Sequence, residues 1–218
     1  LKGGELLNTN YITIAKDETD EQLIKKSRFI CTVHRIESED EARSFIAMTK
    51  KAHPKANHNC YAFIVGQAPE IYRSSDDGEP SGTAGIPMLD VLKGQKLTNT
   101  LAIVTRYFGG TKLGTGGLVR AYAHSTKSAV IKAGLIEKRL ESAVTIFIDY
   151  SNLNQTNYFL EAKQINTLST EFLQEVALTI STEHPEIIKA ELIELLNGRV
   201  RFEDGLKTFY DYPILQAD

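Results

Sequence analysis

Cysteine is scarce in this chain: Cys31 and Cys60 are the only two, and both lie inside apolar runs. Two such thiols exclude a disulfide framework and point to a reducing, cytoplasmic setting. Long hydrophobic runs are missing too. No apolar stretch approaches the roughly 20 residues that span a bilayer. Leu1-Lys2-Gly3-Gly4-Glu5 carries no apolar signal core, and no membrane partner is expected. There is no internal repeat and no low-complexity segment. With 42% apolar and 24% charged residues, wholesale disorder is excluded.

The signatures of familiar chemistry are absent as well. No C-x-x-C or H-x-x-x-H pair accompanies His53, His58, Cys60 or His124, whereas a structural zinc takes four such ligands. No metal and no cofactor is expected. Cys60 as a nucleophile beside His58 is set aside on the ground that strand neighbours point to opposite faces. Ser81 stands in no G-x-S-x-G elbow. Gly109 to Gly114 has Walker A spacing, but Thr115-Gly116 occupies the place of Lys-Ser/Thr, and G-x-G-x-x-G does not fit. No complete catalytic constellation remains, and the weight falls on binding rather than turnover.

What is present is an uneven distribution of charge and glycine. Residues 1–140 hold 20 Lys+Arg against 15 Asp+Glu, a balance of +5, and residues 141–218 hold 5 against 13, a balance of −8. A polyanion is drawn to the first half and repelled by the second. Ten of the 15 glycines fall within residues 66–117, a density that marks tight turns or close backbone approach to a ligand. The last of them, Gly114, Gly116 and Gly117, stand where a helix opens. Unpaired N–H groups and the helix dipole favour an anion there, and Arg106, Lys112 and Arg120 lie on either side. Upstream, Asp76, Asp77 and Glu79 put three carboxylates into four residues. They either hold Mg²⁺ or neighbouring cations, or are solvated acids in a turn at Asp77-Gly78 and Pro80. His58 and Asn59 are placed at a cleft edge. Tyr107, Phe108 and Tyr122 are offered as base-stacking rings, with core packing as the alternative.

Hydrophobic periodicity places these residues. Strands are predicted at Ser27–Ile36, Asn59–Val65 and Leu101–Thr105. A helix capped by Ser38 and Glu41 stops at His53-Pro54, a short one from Pro87 ends at Gly94, and a long one ends at Gly134. A boundary is expected in the charged stretch 138–143. Beyond it Val144, Ile146 and Ile148 alternate, and strands, helices and a hairpin across 167–182 follow in β-α-β-β-α-β order, ending in a short strand at Arg199–Glu203. The fold class is α+β in two domains, residues 1–140 and 141–218.

Three stretches closely resemble the YigZ/Impact family: His53-Pro54-Lys55-Ala56-Asn57-His58-Asn59-Cys60-Tyr61-Ala62, Ser75–Gly85, and TRYFGGTKLGTGGLVRAY over Thr105–Tyr122. They lie within about residues 20–130, and the acidic remainder looks like the extra domain of the bacterial YigZ branch. The resemblance implies an N-terminal β-α fold akin to domain IV of elongation factor G. It implies a ferredoxin-like second domain akin to domain V of that factor. Onto this sequence it carries His58, Asp76, Asp77, Glu79, Ser81, Thr83, Arg106, Lys112, Gly114, Gly116, Gly117 and Arg120. For bacterial members it implies a link to nucleic acid or the ribosome. Eukaryotic Impact proteins restrain a translation-control kinase with a further N-terminal domain that this sequence does not contain.

The expected function is a translation-associated protein that takes RNA or the ribosome in a basic cleft through Arg106, Lys112, Gly114, Gly116, Gly117 and Arg120. His58, Asn59, Asp76, Asp77, Glu79, Ser81 and Thr83 line that cleft, and the acidic domain contacts a basic protein. Two alternatives stay open: an enzyme acting on a phosphorylated small molecule or nucleotide, and a protein-interaction adaptor.

Overall fold

The computed structural model describes residues 10–66 and 70–214. The chain divides into two compact units. One runs through Lys138 and takes the chain back from Asp211, and the other spans Arg139–Tyr210.

In the first unit, β1 (Tyr11–Ile14) precedes a hairpin of β2 (Glu18–Ile24) and β3 (Ser27–Arg35). Then come α1 (Glu39–Ala52), β4 (His58–Val65), β5 (Ile71–Ser75), α2 (Gly85–Gly94), β6 (Thr100–Tyr107) and α3 (Thr115–Ala133). The sheet order is β2-β3-β6-β4-β5 with antiparallel neighbours. Central β6 is apolar on consecutive residues because both its faces are covered. Ala102 and Val104, with Phe29, Cys31, Cys60 and Ala62, pack against Met88 and Leu92 of α2 and Tyr122 and Ala129 of α3. Leu101, Ile103, Phe63 and Val65 on the other face pack under Ala42, Phe45 and Ile46 of α1. Ser38 caps α1 by accepting from the Glu41 N–H at 3.1 Å. The Glu41 carboxylate reaches back to the Glu37 N–H at 2.7 Å, one residue beyond the N-cap N–H that a capping box would use.

The strands that periodicity did not single out, β1, β2 and β5, are short or lie at sheet edges. An edge strand buries little, so its sequence carries little apolar signal; Glu-Thr-Asp-Glu-Gln-Leu-Ile of β2 is the clearest case.

In the second unit, the latter part of β7 (Leu135–Ile148) is followed by α4 (Leu153–Ala162), β8 (Thr167–Phe172), β9 (Val176–Thr182), α5 (Pro185–Leu195) and β10 (Arg201–Ile214). β9 lies between β7 and β8, and β10 also pairs with β7, the ferredoxin-like arrangement. Val144, Ile146 and Ile148 form its core with Leu160, Ile188 and Leu192.

Two expectations need correction here. The strand expected beyond the charged stretch 138–143 already begins at Leu135 and runs through it. The last strand continues past Glu203 to Ile214. Asp211 bridges Lys138 at 2.8 Å and Arg35 at 3.7 Å, and Ile214 packs on the first core. Ion pairs that close over such sequence distances leave no trace in local hydropathy. Among the described residues no helix is long and apolar enough to cross a membrane.

Candidate functional site

Sheet register assembles the centre of the site. Arg106, near the end of β6, pairs with Phe29 of β3 on one side and His58 of β4 on the other. Residues opposite each other on antiparallel strands share a face, so all three lie on the side covered by α3. Arg106 is only 6% exposed. Its guanidinium lies between the rings of Phe29 and Phe108, 5.3 and 5.6 Å from their centroids. A cation so buried needs a counter-charge, which Glu79 supplies: Glu79 Oε1 accepts from Arg106 Nη1 at 2.6 Å and from Tyr122 Oη at 2.7 Å. The Tyr122 hydroxyl is pushed far up, first by burial and then by its neighbours Cys60 and Glu79, and it remains a donor.

The acidic loop is a folded turn rather than a set of solvated acids. Asp77 and Gly78 both take left-handed backbone, with φ of 43° and 89°. The Asp76 carboxylate accepts from the N–H groups of Gly82, Ala84 and Gly85 at 2.8, 3.0 and 2.8 Å. It thereby serves the start of α2, whose N-cap residue Ala84 offers no side-chain cap. Asp77 takes the Lys50 ammonium and the Asn59 N–H, each at 2.7 Å. These oxygens are therefore engaged in structure, and Glu79 likewise holds a neighbouring cation.

Burial raises the Asp76 carboxyl, but the backbone N–H bonds from Gly82, Gly85 and Ala84 outweigh it, leaving it below the ordinary value of 3.8. A depressed carboxylate stabilises the fold above its unfolded-state pKa, and that contribution is lost as pH falls through the lowered folded value. Asp76→Asn is thus expected to cost about 1 kcal/mol at neutral pH and to flatten the acid limb of stability below about pH 4. Thermal melts between pH 2 and about 6 check this, and an unchanged acid limb refutes the assignment.

A cavity of about 510 Å³ opens beside the ion pair, lined by Asn57, His58, Glu79, Pro80, Arg106, Phe108, Lys112, Leu113, Gly114, Thr115 and Leu118. The loop that walls it is tethered. Asn57 Oδ1 accepts from the Phe108 N–H at 2.7 Å, and Ser27 Oγ accepts from the Gly109 N–H at 3.2 Å. Gly109 is required because a Cβ there would lie 1.8 Å from the Lys26 carbonyl oxygen. Gly114, at φ +73°, turns the chain into α3 without a side-chain cap. The N–H groups of Thr115, Gly116 and Gly117 have no intrahelical acceptor and form the electropositive end of that helix.

Beyond Leu113, which walls both, lies a second cavity of about 270 Å³ lined by Ile24, Lys25, Gly117, Arg120, Ala121 and His124. Among the described residues no carboxylate forms a salt bridge with Lys25, Lys112 or Arg120.

The larger cavity therefore brings together His58, Glu79, Arg106, Lys112 and Gly114 of the predicted set. Gly117 and Arg120 border its neighbour, and Gly116 is exposed at the first turn of α3. The remainder do not line the cleft. Asn59 points to the α1 side, where its Oδ1 accepts from Thr105 Oγ1 at 2.8 Å. Thr83 is buried and donates to the Pro80 carbonyl at 2.6 Å, Ser81 is exposed, the Asp76 carboxylate is taken up by the loop's own N–H groups, and that of Asp77 by Lys50 and the Asn59 N–H. Of the three aromatics only Phe108, 46% exposed, faces the cavity. Tyr122 is core, and Tyr107 bonds His53 at 2.9 Å.

His58 and Cys60, two apart on β4, share a face rather than pointing to opposite ones. Burial is what silences the thiol: it pushes Cys60 up to about 12, with Cys31 likewise. Sequence reasoning missed Asn57, Ser27, Leu113 and Lys25. Asn57 and Leu113 lie inside the quoted motifs, while Ser27 and Lys25 become visible only when the β2–β3 turn meets the glycine loop.

The Impact N-terminal domain matches residues 25–130. An IMPACT family member of Bacillus subtilis, YvyE, is 39% identical over 94% of this chain and 95% of its own length. A member from Haemophilus influenzae is 41% identical over 83% and 89%. A crystal structure of a hypothetical protein, 30% identical, covers 90% of this chain and 97% of that one at a TM-score of 0.59. With this likeness along nearly its whole length, the chain belongs to the IMPACT family.

Proposed function

We propose that this chain is a translation-associated protein that binds RNA or the ribosome through the cavity at the start of α3. Membership of the IMPACT family supports the translation setting. The observation that carries RNA over a mononucleotide is the pair of cavities on either side of Leu113. Lys112 serves one and Lys25 and Arg120 the other, with the first turn of α3 between them. A single phosphate fills one position, whereas a phosphodiester chain reaches both. Phe108 offers an exposed ring for a base to stack on. Arg106 contributes little net charge, because Glu79 neutralises it; its role is to shape the wall. The acidic second unit repels the same ligand and suits a basic protein partner.

The test is affinity of the full chain for a single-stranded RNA at several salt concentrations. Lys112→Ala and Arg120→Ala are each expected to weaken binding and to reduce the log–log salt slope by about 0.7. Arg120→Ala leaves binding of a mononucleotide unchanged. Folded variants that bind RNA like the parent refute the proposal and favour the adaptor reading.

A further inference from the structure

We infer that the Glu79–His58 pair accepts the ribose 2′-hydroxyl of the bound strand, making the larger cavity selective for RNA over DNA. This rests on the binding proposed above and adds the chemical class of the ligand.

The inference starts from an asymmetry in Glu79. Both strong donors, Arg106 Nη1 at 2.6 Å and Tyr122 Oη at 2.7 Å, go to Oε1. Oε2 has His58 Nε2 beside it at 3.8 Å, too far for a hydrogen bond. The Glu79 side chain is only 3% exposed, yet Oε2 is not sealed off: it has no donor of its own and still meets solvent, so an arriving ligand can reach it. His58 is oriented by its other nitrogen. Nδ1 lies 2.9 Å from the Asp77 carbonyl oxygen, which only accepts, so Nδ1 carries a hydrogen and Nε2 is the nitrogen turned toward Glu79 Oε2.

A carboxylate acceptor and an imidazole nitrogen therefore stand side by side, and both residues line the 510 Å³ cavity. What fits between them is a ligand donor. A phosphate is excluded from this corner by the carboxylate and is served at the other end by Lys112 and the opening of α3. A sugar hydroxyl meets the requirement, since it gives its one hydrogen to Glu79 Oε2 while lying against His58 Nε2. In a phosphodiester chain the 2′-hydroxyl is the group that separates RNA from DNA. An exocyclic base amine offers the same donor, but DNA carries that amine equally, so comparing the two nucleic acids distinguishes the sources.

The experiment compares one single-stranded sequence as RNA and as DNA, bound to the full chain at fixed salt. RNA is expected to bind about tenfold or more tightly, the scale of one hydrogen bond to a charged acceptor. His58→Ala is expected to weaken RNA binding toward the DNA value. Because His58 also holds the turn at Asp77, the ligand is varied independently: 2′-O-methyl RNA, which keeps the oxygen and loses the donor, is expected to bind the unaltered protein like DNA. Equal affinity for RNA and DNA, still dependent on Lys112, overturns the 2′-hydroxyl assignment and leaves the phosphate site standing. Binding of neither nucleic acid overturns both.

Discussion

Glu79→Ala is expected to destabilise the first unit by about 3–5 kcal/mol, because it leaves the nearly buried Arg106 guanidinium without its counter-charge. The magnitude follows from burial: Arg106 is 6% and Glu79 8% exposed, at an N–O distance of 2.6 Å. The substitution also leaves the Tyr122 hydroxyl, fully buried, without its acceptor, a further cost of about 1–3 kcal/mol. Replacing both charges, Glu79→Leu with Arg106→Met, is expected to recover most of the loss, since the apolar pair carries no desolvation penalty. A chain of two units does not yield one global unfolding energy, so the measurement is native-state amide exchange in β4 and β6. A loss below about 1 kcal/mol, the scale of an exposed pair, would mean that Glu79 and Arg106 are solvated.

Gly109→Ala and Gly116→Val are expected to fail in opposite ways. At Gly109 an added Cβ meets the Lys26 carbonyl oxygen at 1.8 Å, its carbon at 2.0 Å and the Ser27 nitrogen at 2.6 Å. These are backbone atoms of a turn already held in left-handed conformation, with φ of 45° at Lys25 and 68° at Lys26, so they have little room to yield. A loss at or above the roughly 3 kcal/mol upper range of overpacking is expected.

Gly116 has open space around its Cβ position and no positive φ, and it lies within α3, where valine is a better helix former than glycine. Gly116→Val is expected to melt within a few degrees of the parent. RNA affinity is nevertheless expected to fall tenfold or more, because the branched side chain stands beside the N–H groups that take the phosphate. Thermal melts and RNA titration on both variants check the contrast. A folded Gly116→Val chain that binds like the parent removes the helix start from the site.

The sequence by itself determined the buried elements and the region of the site. Asn59–Val65 and Leu101–Thr105 show apolar residues on both faces, the mark of strands covered on both sides, and the structure has them as β4 and β6. Ser38 announced the start of α1, Pro87 the first turn of α2 and Gly134 the end of α3, because capping and backbone restriction act within one turn of chain.

What lies at the margins was decided elsewhere. β2 and β5 are edges that bury too little to be read from hydropathy, and β10 passes Glu203 because it pairs with β7 and ends with Ile214 on the first core. Within the site, local pattern located Arg106, Glu79 and Lys112 but not their roles. Register across three strands brought Arg106 between Phe29 and His58, and the turn at Asp77-Gly78 delivered Glu79 to it. Asn59 went to the opposite face by the same alternation that brought His58 to the cavity. Which charge is spent on another residue and which is left for a ligand depends on distances between segments far apart in sequence. Tertiary packing set those distances, and it left Lys112, Lys25 and Arg120 without acidic partners among the described residues while burying Arg106 against Glu79.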